Sequence, residues 1–204
     1  MKIGFIPRHG DTYLAKLIHN FKNDYPLIDL FITEDSIENL YDSLEILSLD
    51  IVFSIDFDLN KYQNLKCKFL KTHPLYAILY KNHPLANKDT ISRTALKDEK
   101  FIFINNSEAP CGIDKIIKNC TDSGFFPSIA YKAHSIEAVL LMVEAEMGIT
   151  ILPKYPNYEN NNLIYIKLNG ANEILKSVVA WNTLFNNPAL SIFLEYIDNN
   201  EIIR

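Results

Sequence analysis

The chain has 204 residues, 48% hydrophobic and 22% charged, a balance that excludes a disordered protein and leaves room for one sizeable core or two smaller ones. A formal net charge of −5 with no short cluster of Lys and Arg excludes the basic footprint of a nucleic-acid surface, so this chain alone is not expected to hold DNA. The opening MKIGFIPRHGD is too short in its apolar run for a signal peptide, and no later stretch offers about 18 apolar residues, so the expected compartment is the cytoplasm.

Residues 2 to 6, KIGFI, predict a short strand, and Pro7 to Gly10 a turn. Leu14, Leu17, Ile18 and Phe21 then recur at helical spacing, giving an amphipathic helix from about Thr12 that Tyr25-Pro26 ends. LIDLFI, 27 to 32, predicts a second strand. Asp35-Ser36-Ile37-Glu38 has the pattern of a capping box, with Ile37, Leu40, Leu44 and Leu47 as the buried stripe of the helix that follows. DIVFSI, 50 to 55, is a third strand, apolar almost throughout. Strands of this kind alternating with helices predict a parallel sheet covered on both faces.

A second set of elements follows the same logic. LYAILY (75 to 80) and KFIFI (100 to 104) predict strands, and Gly112 to Thr121 a helix with Ile113, Ile116 and Ile117 inward. After a strand near Ser128 to Lys132 comes HSIEAVLLMVEAEMGITILP, from His134 to Pro153. Its helix is apolar on nearly every face, with Glu137 above Glu144 and Glu146 opposite, so it is expected to be buried or shared with a partner. Ser135 is its expected N-cap and Gly148 its left-handed C-cap. The strand ITIL follows, then NLIYIKL (162 to 168), KSVVAW (176 to 181), and a last helix capped by Asn187-Pro188 and carrying Leu190, Phe193, Leu194 and Ile197. Two αβ sets with no linker suggest lobes joined by crossing strands, with a cleft where they meet.

KIGFIP at the start, LDIVFSI at 49 to 55, HPLYAILYKNHPLA at 73 to 86 with IS and AL after it, and SIEAVLLMVEAEMGITILP at 135 to 153 together resemble one family. It is the effector-binding domain of LysR-type transcriptional regulators, and the resemblance spans almost the whole chain. The family implies an α/β fold of two Rossmann-like lobes, that of type 2 periplasmic binding proteins. Residues 1–75 with 169–204 would form lobe I and 76–168 lobe II. It also implies a small effector in the cleft, antiparallel dimers that form tetramers at full length, no cofactor, and DNA contact through an N-terminal winged helix-turn-helix. Here Met1 opens directly on the first effector-domain strand, so a truncated chain is expected, with a natural effector-only relative as the alternative.

In open parallel sheets, ligands bind beyond the carboxyl ends of strands, where loops feed helix N-termini that favour anions. The candidate effector residues therefore fall in four places: Pro7, Arg8, His9 and Gly10; Ser54; Asn106, Pro110, Cys111 and Gly112; and His134 with Ser135. Arg8 can grip a carboxylate through two parallel hydrogen bonds. Members of the family often carry Ser or Thr in that first loop, so Arg8-His9 is expected to mark a different effector; the alternative is a solvated turn residue at Arg8 and a local cap at His9.

The three cysteines, Cys67, Cys111 and Cys120, form no CxxC pair, so reduced thiols are expected. Peroxide-sensing members of the family carry a reactive cysteine in a loop like that of Cys111, with a second nine residues on, and the spacing matches here. Nine residues of helix nevertheless hold Cα atoms roughly 13 Å apart, beyond the reach of a disulfide. Gly112-Ile113 also replaces the Arg that follows the reactive cysteine in those sensors, so a thiol switch is the lesser alternative to a pocket-wall role.

No GxGxxG, P-loop, HExxH, GxSxG or EF-hand pattern is present, and His9, His19, His73, His83 and His134 lack metal-ligand spacing, so an enzyme is not expected. His73 and His83, each before a Pro, predict turns. Glu34-Asp35 and Asp56-Asp58 predict solvated loops or helix starts. A transporter's solute-binding protein of the same fold is the rival reading, and it would need export. For the dimer, the helix from Thr12 to Asp24 and the apolar helix after Ser135 are the expected interface.

Overall fold

The computed structural model describes residues 1–6, 11–57, 59–105, 110–154, 161–184 and 186–200, with only the backbone at 11, 12, 110 and 111. The chain divides into two compact units, Met1–Thr72 with Lys176–Arg204, and His73–Leu175. Both divisions fall inside strands, β4 (Leu65–Tyr80) and β10 (Ile174–Asn182).

In the first unit β1 (Lys2–Phe5) lies between β2 (Phe31–Glu34) and β3 (Ile51–Ile55), parallel to both, with Ile3 aligned to Ile32 and Ile51. β10 then joins β3 antiparallel and β4 follows, so the sheet is mixed rather than parallel. The strand–helix alternation of the first 55 residues carries no sign of a partner strand from the end of the chain. On one face, α1 (Asp11–Asp24) and α5 (Pro188–Asn199) pack Leu14, Leu17, Phe21, Leu190, Phe193 and Ile197 over Ile3, Ile51 and Phe53. Each such fully buried side chain contributes about 1.5–3 kcal/mol relative to exposure. On the other face α2 (Ile37–Glu45) buries Leu40, Tyr41 and Leu44, and the Tyr41 hydroxyl donates to the Ile55 carbonyl at 2.6 Å. Gly4 permits this approach, since a Cβ there would stand 2.6 Å from Leu40 and 2.7 Å from Leu49.

Two expectations are corrected here. Residues 27–30 are not strand: Tyr25 to Ile28 form a turn, with Ile28 N donating to Tyr25 O at 3.1 Å, Leu27 is 97% exposed, and the strand begins only at Phe31. The capping box is also built differently. Ser36 Oγ accepts from Asn39 N, but the returning carboxylate is that of Asp35, which takes Ser36 N and Asn39 Nδ2, both at 2.7 Å.

In the second unit, residues 75–80 of β4 run between β8 (Thr150–Pro153) and β9 (Leu163–Asn169), antiparallel to both, and β5 (Thr90–Ser92) adds parallel to β9. β6 (Lys100–Ile104) and β7 (Ser128–Ala133) form a separate parallel pair. α3 (Pro110–Asp122) packs Ile113 onto Phe101, Phe103, Ile149 and Ile151, and α4 (Ile136–Glu144) packs Val139, Leu140 and Val143 onto Ile78, Ile102 and Leu163. His83 sits in a turn, its Nδ1 accepting from Leu85 N at 3.1 Å, whereas His73 lies within β4 instead of a turn. The first half of that strand is readable in the sequence after all, since Leu65, Cys67 and Phe69 alternate with Lys66 and Lys68 at the period of a strand.

α4 is less buried than its composition suggests, with Leu141 67% exposed. Its end also differs from expectation. The left-handed residue is Glu146 (φ 60°), not Gly148; Glu146 N donates to Val143 O at 3.0 Å and Met147 N to Met142 O at 3.1 Å. That is a Schellman ending, which any residue tolerating a positive φ can make. α2 ends the same way at Leu47 (φ 59°), with Leu47 N on Leu44 O and Ser48 N on Ser43 O. Each unit therefore contains a nine-residue helix with a serine N-cap, a non-glycine left-handed stop and a following buried strand.

Gly148 matters for a different reason, because a Cβ there would stand 2.5 Å from the Lys100 carbonyl oxygen, which accepts Ile149 N at 2.8 Å. Gly148→Ala is expected to lower stability by about 1–3 kcal/mol, the cost of forced repacking, read from the urea midpoint at unchanged slope. A midpoint equal to wild type would show that the contact is not needed.

Candidate functional site

The strands that precede the helices end side by side within each unit. In the first, Phe5 aligns with Phe53 and Ile6 N donates to Phe53 O at 3.2 Å, so Ile6 lies beside the Phe53-Ser54 stretch of β3. Pro7, Arg8, His9 and Gly10 lie outside the described residues. Ser54 is 2% exposed on β3, aligned with Val178 of β10, and its Oγ has no hydrogen-bond partner among the described residues. The alternation of the strand puts Ser54 on the α2 face with Val52. On the opposite face, Tyr13 of α1 sets its ring edge-on to Phe53 with centroids 6.4 Å apart, and its buried hydroxyl is likewise unpartnered. Burial pushes the Tyr13 phenol up from 10.0 to about 12, because a phenolate there would lose its hydration.

In the second unit, β6 and β7 end side by side: Ile104 aligns with Ala133 and Asn105 N donates to Ala133 O at 2.7 Å. Both strands feed helices from that edge. α3 starts at Pro110, two residues before the expected Gly112, so Pro110, Cys111 and Gly112 form its first turn. Proline suits that place, where an N–H has no helical acceptor. The side chains of Pro110 and Cys111, and the whole of Asn106, lie outside what the structure describes. α4 starts after His134, which is exposed, and Ser135, whose Oγ accepts from Ala138 N at 3.2 Å. Ser135 is thus the expected N-cap. Ser54 thus stands beside the last residues of β1 in one unit, and in the other β6 and β7, the strands that precede α3 and α4, end side by side.

Cys120 is fully buried on α3, where Arg93 Nη1 donates to its sulfur at 3.3 Å. Burial raises its pKa, with the Arg93 hydrogen bond opposing. A thiol held protonated and out of solvent is a poor nucleophile. Arg93 is itself 2% exposed, and pairs with Glu173 through two hydrogen bonds, Nε to Oε1 at 2.7 Å and Nη2 to Oε2. Motif and periodicity do not reveal this pair. The available signal is an arginine inside ISRTAL, between Ile91 and Leu96, where a charge needs a buried partner. Among the described residues no group of His, Cys, Asp and Glu is placed to hold a metal ion, and no helix is long and apolar enough to cross a membrane.

The family model for the LysR substrate binding domain matches residues 1–200. Among curated proteins, the transcriptional dual regulator GltC of Bacillus subtilis is 26% identical over 171 residues, 82% of this chain and 55% of that protein. Others matched include HTH-type regulators of which the chain spans 67% and 66%; these relatives are transcriptional regulators, not enzymes. Among solved structures, the BenM effector-binding domain with its effector benzoate superposes with a TM-score of 0.83 at 20% identity, covering 97% of this chain and 90% of that one. The effector-binding domain of QuiR in complex with shikimate gives 0.81 at 18% identity, covering 96% and 93%. The fold is that of these domains.

The Tyr13 hydroxyl provides a test that needs no ligand. A phenol whose folded pKa is raised adds stability that is complete below its ordinary pKa near 10.0 and is lost as pH rises through about 12. Tyr13→Phe is therefore expected to keep wild-type stability at pH 7 and to lose less than wild type between pH 10 and 12, by chemical denaturation across that range. A clear loss at pH 7 would mean that the hydroxyl has a stabilising partner.

Proposed function

The chain belongs to the LysR substrate-binding domain family, and from that premise we propose that it senses a small carboxylate or similar anion at the carboxyl ends of its strands. The observation that carries this reading is the buried Ser54 hydroxyl at the end of β3, which has no partner among the described residues. An orphaned buried hydroxyl costs about 1–3 kcal/mol, a deficit that a ligand oxygen would remove. Arg8, which lies in sequence between β1 and α1, is the group proposed to grip the carboxylate, and the starts of α3 and α4 offer backbone N–H groups with the positive ends of their helix dipoles. Benzoate and shikimate, bound by BenM and QuiR, are both carboxylates.

As a regulator's sensor in the cytoplasm, the domain would convert ligand binding into a shift between conformations, with DNA contact made by other parts of the protein. The relatives are longer, this chain spanning 55% of GltC. The thiol-switch alternative gains nothing from Cys120, which is buried and already engaged by Arg93.

A second copy of this chain is the proposed partner. β2 is the outer strand of the first unit's sheet, and Phe31 is 62% and Ile32 51% exposed on it. An apolar strand edge of this kind is covered in a stable protein. Leu141 on α4 adds an exposed apolar residue to the second expected interface helix.

Two measurements test these readings. A thermal-shift panel of benzoate, shikimate and uncharged benzamide is expected to raise the Tm with the carboxylates alone; saturation at 100 Kd is worth about 2.7 kcal/mol. The gain should vanish in Arg8→Ala, and no shift with any small organic anion in a wider panel would refute the anion reading. For the dimer, sedimentation at micromolar concentration is expected to give twice the chain mass for wild type and a monomer for Phe31→Lys/Ile32→Lys. A wild-type monomer would refute the interface.

A further inference from the structure

The buried Arg93–Glu173 pair stands apart from the proposed effector groups, yet three elements of the second unit meet at it. Arg93 follows β5 in a short 3-10 turn, Arg93–Leu96. Glu173, 7% exposed, directly precedes β10, and its backbone carbonyl accepts Leu75 N of β4 at 2.9 Å. The third element is α3. Cys120 takes a third Arg93 hydrogen bond, and Asn119 Nδ2 donates to the Asn172 carbonyl at 3.2 Å. The last turns of α3 are therefore bound to residues 172–173, where β10 begins.

We infer that Arg93, Glu173, Cys120 and Asn119 form a latch that makes α3 move as one piece with the strands through which the chain passes between its units, β4 and β10. A planar guanidinium with three engaged donors has one workable geometry, and both charges are buried where solvent cannot substitute for a lost partner. From Pro110 to Cys120 the helix rises about 15 Å, and it is stiff over that length. A displacement at its first turn is delivered to Glu173 instead of being absorbed by a loop. The role in signalling rests on the proposal that the effector meets the start of α3; the mechanical coupling does not.

Hydrogen–deuterium exchange on the full chain, without any ligand, separates the two ideas. Glu173→Gln and Arg93→Met are each expected to speed exchange at least tenfold both in 115–122 of α3 and in 173–177 with 74–77, leaving α1 and α2 unchanged. Cys120→Ala, which keeps the ion pair, is expected to loosen 115–122 while 173–177 stays near wild type. If the ion-pair variants loosen 173–177 with α3 unmoved, or Cys120→Ala leaves α3 unmoved, the latch is refuted. Should either ion-pair variant unfold the chain, the Cys120→Ala result decides. Loss of the carboxylate shift in the thermal panel would leave these outcomes untouched.

Discussion

A 16-residue strand presents backbone donors and acceptors along both edges, and how β4 satisfies them organises the rest of the chain. Over 76–78 it is flanked twice, with Tyr76 aligned to Leu152 on one side and Lys167 on the other. Over its first half only β10 joins it among the described residues. The open edge there carries Lys66, Lys68 and Lys71, charges that discourage a further strand from adding. β2, the opposite end of that sheet, carries Phe31 and Ile32 instead. The two edges of one sheet thus have opposite chemistry.

Legibility follows the strength of the local signal. The helices can be read where apolar spacing and a cap agree, as with Ser36, Ser135 and Asn187, whose side chains each accept a first-turn amide. β3 is legible from its apolar run. The first half of β4 carries its signal only as the alternation of Leu65, Cys67 and Phe69 with lysines, and the antiparallel pairing of β10 is hidden because it is set by a partner more than a hundred residues away. LIDLFI misleads because its exposed Leu27 and Phe31 look like core residues. Gly148 stands out in the sequence, but what requires it is not a helix end: its hydrogen faces a carbonyl contributed by β6.

The same distinction applies to the candidate site. That Ser54 ends a strand can be read from DIVFSI; that its hydroxyl is buried without a partner depends on β10 and α2 closing over it. That Ser135 caps α4 is local chemistry. The ion pair of Arg93 with Glu173 joins residues 80 positions apart, a distance at which a single sequence carries almost no pairing signal.

The two left-handed stops have a bearing on protein engineering. An L-residue at positive φ is strained by roughly 1–2 kcal/mol, and Glu146 accepts that strain at an exposed position. Its side chain fills no core, so a glycine substituted at that position would relax the backbone and sacrifice no packing. The fold thus holds a reserve of thermal robustness away from every group assigned to recognition.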